Sequence, residues 1–139
     1  GLTDERGETY SVRAARSPRE VARLLQLFRE SSLEVSFEPE HRHLIAVDDH
    51  DAVIGGVFYR QVTAERTHME KIVVSRKHRG HGIADGIMRE LGRRQRARGV
   101  HLLETGWFQP EVLARFGFRV DAASGGMVLD LVAASAVPH

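Results

Sequence analysis

The chain predicts an α/β (α+β) fold: a mixed, mostly antiparallel sheet of six to seven strands flanked by helices. Three observations carry this. Apolar runs separated by short polar turns recur between residues 43 and 74, as in hairpins. Two segments, Ser17 to Phe28 and Gly82 to Arg98, instead space their apolar residues as helices do. The second lies between strand-like runs at 68–74 and 100–105, and such a β-α-β unit makes its two strands parallel or nearly so.

The elements follow in order. After a polar lead (residues 1–9), Tyr10 to Ala15 reads as a first strand. Ser17 then serves as N-cap, with Pro18 at the first helical position and Glu20 reaching back; Val21, Leu24, Leu25 and Phe28 supply one buried face. Residues 31–41 are irregular and acidic, with Glu34, Glu38 and Glu40 around Phe37. His43–Val47 and Val53–Tyr59 form a hairpin about Asp48–Asp51, and a strand from His68 to Val74 follows a polar turn. The period then changes: Ile83, Ile87 and Leu91 stand four apart with Met88 beside them, and Gly99 closes the helix. Val100–Thr105 is a strand, Pro110–Phe116 a short helix ended by Gly117, and Phe118–Val120 with Met127–Leu131 a final hairpin about Ser124–Gly126. Neither repeat nor linker interrupts this order, so one domain is expected over residues 10–131, with a C-terminal tail over 132–139. The first residue is Gly1, not Met, which leaves a processed start and a piece of a longer chain equally open.

Composition narrows the chemistry. A net charge of +1 at 28% charged residues gives no bulk attraction to nucleic acid or membrane. With no cysteine there is no disulfide, thiolate nucleophile or usual structural zinc site, and a reducing, cytoplasmic location is expected. No apolar run approaches the roughly 20 residues that cross a bilayer. His41, His43 and His50 match no metal-ligand spacing, so no metal is expected. The arginines at 89, 93, 94, 96 and 98 read as a solvated helix face, and no nucleic-acid partner is expected.

The informative segment is Ile72 to Asp85, where a strand runs into a glycine-containing turn that opens a helix. First-turn N–H groups lack partners inside a helix and carry partial positive charge, and glycines let a diphosphate approach them. Arg76, Lys77 and Arg79 add charge there, while neither a P-loop nor a dinucleotide fingerprint is present.

Arg79-Gly-His-Gly82-Ile-Ala84 resembles the acetyl-CoA signature of the GNAT N-acetyltransferase superfamily, Arg/Gln-x-x-Gly-x-Gly/Ala. Val74 stands where that family's fourth strand ends, Gly55 where its third strand often has glycine, and Arg115-Phe-Gly-Phe118 looks like its helix-ending element. The order of elements matches from residue 10 to 131, which implies an acyl-CoA N-acyltransferase-like fold. The resemblance further implies acetyl-CoA as co-substrate. Backbone groups of Ile72, Val73 and Val74 would hold its pantetheine arm, and N–H groups of Arg79, Gly80, His81, Gly82, Ile83, Ala84 and Asp85 its pyrophosphate. It implies transfer of the acetyl group to a small-molecule or peptide primary amine by direct attack on the thioester. Glu70 is the first candidate for the base, His68 the second and Glu104 a distant third. Strand alternation puts His68 and Glu70 on the same face as Ile72 and Val74. Where relatives often have a Tyr that protonates the departing thiolate this chain has Leu113, leaving Tyr59 or water for that role. Trp107 and Phe108 either line the acceptor pocket or fill the core. The other reading is a non-catalytic acyl-CoA-binding regulatory module of a larger protein. Homodimerisation, fusion to a larger chain and the identity of the amine stay open.

Overall fold

Ser17 starts the first helix as its sequence implies: its Oγ accepts the Glu20 N–H at 3.2 Å, and Pro18 takes the first turn, where its missing N–H costs nothing. In the computed structural model, which describes residues 1–132, the chain runs β1 (Leu2–Thr3), β2 (Thr9–Ala14), α1 (Pro18–Glu30), β3 (Arg42–Asp48), β4 (Val53–Thr63), β5 (Arg66–Val74), α2 (Ile83–Ala97), β6 (Leu102–Thr105), α3 (Pro110–Leu113), β7 (Arg119–Val120) and β8 (Met127–Asp130). Single 3-10 turns follow β5 (Arg76–His78) and α3 (Ala114–Phe116). The expected tail lies, from residue 133 on, outside the described residues.

One eight-stranded sheet results, in the order β1-β2-β3-β4-β5-β6-β8-β7. Every pairing is antiparallel except β5 with β6, the pair joined by α2. The strand beyond the six or seven expected is β1. Asp4, whose carboxylate accepts the N–H groups of Arg6 and Glu8, folds the lead into a turn, so that Leu2 pairs with Tyr10.

The helices cover opposite faces. Leu24, Leu27 and Phe28 of α1 pack with Ile45, Phe58 and Val73. Leu27, not Leu25, completes that stripe, because i, i+3 and i+4 share a helix face more closely than i and i+1. Ile83, Ile87 and Leu91 of α2 pack on the other face with Leu44, Val57, Met69 and Ile72. Close approach depends on two glycines of β4. A Cβ on Gly55 would stand 2.7 Å from the Val73 carbonyl oxygen, and one on Gly56 would stand 2.8 Å from Leu24 Cδ1.

Two irregularities of β5 shape the site. Its parallel ladder with β6 joins Arg66, Thr67 and His68 to Leu102, Leu103 and Glu104 and then stops, while β4 stays paired as far as Val74. The β6-facing edge of β5 beyond residue 68 therefore has no strand beside it. The register with β4 also jumps, from Tyr59↔Met69 to Phe58↔Lys71, leaving Glu70 without an opposite residue. Such a bulge inverts the alternation of side chains. Met69 and Ile72, of opposite parity, both join the α2-side core, whereas Val73 joins the α1 side. This corrects the expected alternation: His68 and Glu70 share a cleft with Phe58, and Ile72 and Val74 pack on the opposite, α2 face.

Candidate active site

The turn after β5 reaches α2 through two residues that need glycine. Gly80 and Gly82 have φ of 77° and 89°, the left-handed region that side chains disfavour. Gly82 is the N-cap of α2 and offers no side-chain cap, and the first helical bond found there runs from the Gly86 N–H to the Gly82 carbonyl at 3.2 Å. The N–H groups of Ile83, Ala84 and Asp85 are left to whatever occupies the adjoining cleft. This cleft, about 490 Å³, is lined by Ile72, Val73, Val74, Arg79, Gly80, Gly82, Ile83, Ala84 and Asp85 among others. His81 is not among its lining residues; its carbonyl instead accepts the Glu5 N–H at 2.9 Å. Asp85 lies 3.9 Å from Arg115, both partly exposed.

The strand edge beside this turn has a definite polarity. The Ser75 N–H donates to the Ile54 carbonyl of β4 at 2.8 Å. Successive peptide groups of a strand point to opposite sides, so the N–H of Val74 points away from β4, into the gap left by β6. The Val74 carbonyl, on the same side, accepts Arg79 Nε at 3.0 Å, and Arg79 Nη2 reaches Ser31 Oγ at 2.6 Å. These features fit an acyl-CoA: an uncapped helix end for a diphosphate, and an unpaired edge for an amide-bearing arm.

A second cleft, about 600 Å³, opens on the α1 side of the same gap. Trp107 lines both clefts and also packs against the α2-side core, and Phe108 is 48% exposed. Glu34 and Glu38 line its entrance; Glu40 does not. Their loop is held by Phe37, whose ring packs 4.7 Å from Phe58 and 4.6 Å from His43. The Lys71 ammonium fixes it further by donating to the Glu34 carbonyl at 2.7 Å.

Glu70 belongs to this second cleft, 26% exposed and with a histidine nitrogen beside each oxygen. His41 Nε2 lies 3.0 Å from Oε2, and His68 Nε2 lies 2.8 Å from Oε1. The Glu38 N–H donates to His41 Nδ1 at 2.9 Å, so that nitrogen is the acceptor and Nε2 carries the hydrogen that Glu70 accepts. His68 Nδ1 in turn lies 2.9 Å from Glu104 Oε2, and Arg66 stands 3.3 Å from the other Glu104 oxygen. The three candidates for the base thus stand in one row, Glu70–His68–Glu104, hydrogen-bonded between His68 and Glu104 and at ion-pair distance between His68 and Glu70.

Two residues of the site are not legible in the sequence. His41 was weighed only as a metal ligand; it is buried against Glu70, 29 residues away. Glu5 lines the phosphate cleft from the N-terminal lead, with its carboxylate 3.5 Å from where a Cβ on Gly82 would stand. Neither has a local signal. Tyr59, expected as a stand-in proton donor, lies beneath α2 beside Arg94 and lines neither cleft; Tyr10 is also buried under α2, against Gly86. Leu113 is fully buried.

A mixed sheet wedged open beside an uncapped helix end is the architecture of the acyl-CoA N-acyltransferase fold. The family model for the acetyltransferase (GNAT) domain matches residues 39–120, more than half the chain, and the protein belongs to that family. No curated protein matches. Among solved structures, the chain is similar to the GNAT N-acetyltransferase YhbS from Escherichia coli in complex with CoA, at 21% identity over 89% of this chain and 82% of that one, TM-score 0.68. It is similar also to the GNAT domain of S. lividans PAT, at 16% identity over 93% and 94%, TM-score 0.72. A third likeness is N-acetylglutamate synthase from Neisseria gonorrhoeae complexed with coenzyme A and N-acetylglutamate, at 17% identity over 88% of this chain and 35% of that one, TM-score 0.70. Among the described residues no helix is long and apolar enough to cross a membrane, and no three His, Asp or Glu side chains converge as a metal site.

Proposed function

We propose that this GNAT domain transfers the acetyl group of acetyl-CoA to a primary amine by direct attack, with Glu70 as base. One observation carries the reading: Glu70 lies in a cleft that shares Trp107 with the phosphate-loop cleft, at the point where β5 leaves β6. The Ile83, Ala84 and Asp85 N–H groups receive the pyrophosphate, and Ile72, Val73 and Val74 pair with the arm. The outward N–H of Val74 faces the thioester oxygen, where a fixed donor stabilises developing negative charge.

At neutral pH only about one lysine-like amine in a few thousand is unprotonated, so attack needs a proton acceptor. The Glu70 carboxylate fills that role at the acceptor cleft. His41 fixes one of its oxygens, and His68 with Glu104 continues the row along which the proton leaves. The carboxylates of Glu34 and Glu38 at the entrance favour a cationic acceptor. That the gonococcal synthase binds CoA together with an acetylated amino acid supports a small-molecule amine as acceptor.

The test is thiol release from acetyl-CoA across a panel of amines, amino acids and peptides, with Glu70→Gln alongside. Turnover with at least one amine is expected, with Glu70→Gln lowering kcat by about 100-fold or more, within the range for loss of a general base. Cofactor binding with no turnover on any amine would overturn the reading and leave a binding module.

A further inference from the structure

A third pocket, about 610 Å³, lies where β2 ends, between β3, β4 and the C-terminal turns of α2. Gln95 stands 13 residues along α2 from Gly82, so at 1.5 Å per residue the pocket is about 20 Å from the phosphate loop. Four arginines line it, Arg42, Arg93, Arg94 and Arg98, and no aspartate or glutamate does. Of these charges, Arg93 and Arg94 share the single carboxylate of Glu90, and Arg98 meets only the neutral Gln61. Among the described residues Arg42 pairs with no carboxylate.

The pocket wall adds neutral groups that lack partners. The Gln95 side chain, in a residue 3% exposed, has its oxygen bonded by the Thr67 hydroxyl at 2.6 Å, while its Nε2 has no partner among the described residues. His43, also among the lining residues, has a buried, partnerless Nε2 on a ring packed against Phe37 and Phe58. A native fold rarely leaves a buried polar nitrogen without an acceptor. Tyr59 stands at the centre of the arginines: burial pushes its hydroxyl up, and Arg94, Arg42 and Arg98 pull it down, with no acid opposing them. The C-terminus of α2 contributes only about half a negative charge, far short of balancing the guanidinium groups.

We propose that this pocket is a second ligand site, distinct from the acyl-CoA cleft, that takes a compact, multiply charged oxyanion bearing phosphate or carboxylate groups. Guanidinium forks bind both group types through paired N–H donors, and the Tyr59 hydroxyl is a further donor of matching reach. His41 lines both this pocket and the acceptor cleft, and its ring bonds Glu70.

Calorimetric titration of the protein with inorganic pyrophosphate and with citrate tests this, CoA being present at saturation so that the phosphate loop is occupied. Saturable one-to-one binding of at least one of them is expected, and whichever binds assigns the phosphate or the carboxylate class. Arg42→Gln combined with Arg98→Gln, both exposed and so compatible with the fold, is expected to weaken that binding at least ten-fold and leave CoA affinity unchanged. No binding of either anion in the presence of CoA, or equal binding by the double variant, overturns the proposal.

Discussion

Gly86→Ala and Gly92→Ala make the same chemical change in the same helix, and the structure assigns them different effects on stability. Both replace a helix-interior glycine by alanine, which by propensity alone stabilises by about 0.8–1 kcal/mol. At Gly92 the new methyl meets only the flexible tip of Arg96, at 3.5 Å or more, so most of that gain is kept. At Gly86 it falls on the Tyr10 hydroxyl, with the ring carbons Cζ and Cε2 at 3.0 and 3.2 Å. Tyr10 is 5% exposed and cannot swing into solvent, so ring or helix must move, which costs roughly 1–3 kcal/mol. Gly86→Ala is therefore expected to be neutral to about 2 kcal/mol destabilising. Urea denaturation reads the difference as a midpoint shift at constant slope. Adding Tyr10→Phe removes the nearest atom and is expected to recover part of the loss. Because the Gly86 N–H makes the first bond of α2, the same substitution is expected to weaken CoA binding, while Gly92→Ala leaves it intact. Equal stability of the two single variants would refute the wedging of Tyr10 against α2.

Three further outcomes are expected. His41→Ala removes a hydrogen bond to a carboxylate worth about 1.5–3 kcal/mol, so kcat is expected to fall roughly 10- to 150-fold with little change in KM for acetyl-CoA, and His41→Gln to restore part of it; unchanged kcat in steady-state assays refutes the positioning role. Glu5→Gln removes a negative charge beside the phosphate loop, and CoA affinity measured by calorimetry is expected to rise up to about four-fold at low salt and less at high salt. Stability is expected to fall in acid. Hydrogen bonds from Arg13 and the Arg16 N–H hold Glu20 at about 2, and Arg93 with Arg94 holds Glu90 at about 2. Both values are depressed, so the unfolded chain binds more protons below about pH 4.5. The stabilisation is complete above that pH and is lost as pH falls toward 2, on the order of 1–3 kcal/mol per group. A melting temperature unchanged from pH 5 to pH 2.5 contradicts this.

What could be read in the sequence is what depends on local period and local chemistry. The switch to helical spacing at Ile83, the Ser17–Glu20 start signal and the Gly80/Gly82 pair each act over a few residues, and each stands where the sequence put it. Pairing of β5 with β6 in parallel followed from having α2 between them. The rest depends on contacts across the sheet. The bulge at Glu70 is set by how β4 registers on β5, and no residue type within 68–74 announces it. His41 finds Glu70 only because the loop ahead of β3 is fastened through Phe37 and Lys71. Strand β1 is two residues long, too short for any alternation to show, and Glu5 reaches the phosphate loop through that strand and its turn.

Both tyrosines of the chain lie under α2 and neither borders the two clefts, so no phenol stands ready to acidify the departing sulfur. In the proposed reaction, the sulfur is then expected to leave as an anion and collect its proton from solvent afterwards. Transfer by this protein should accordingly be sensitive to the electron demand of the leaving group: acetyl donors built on progressively more acidic thiols should react progressively faster, along a steep linear free-energy line.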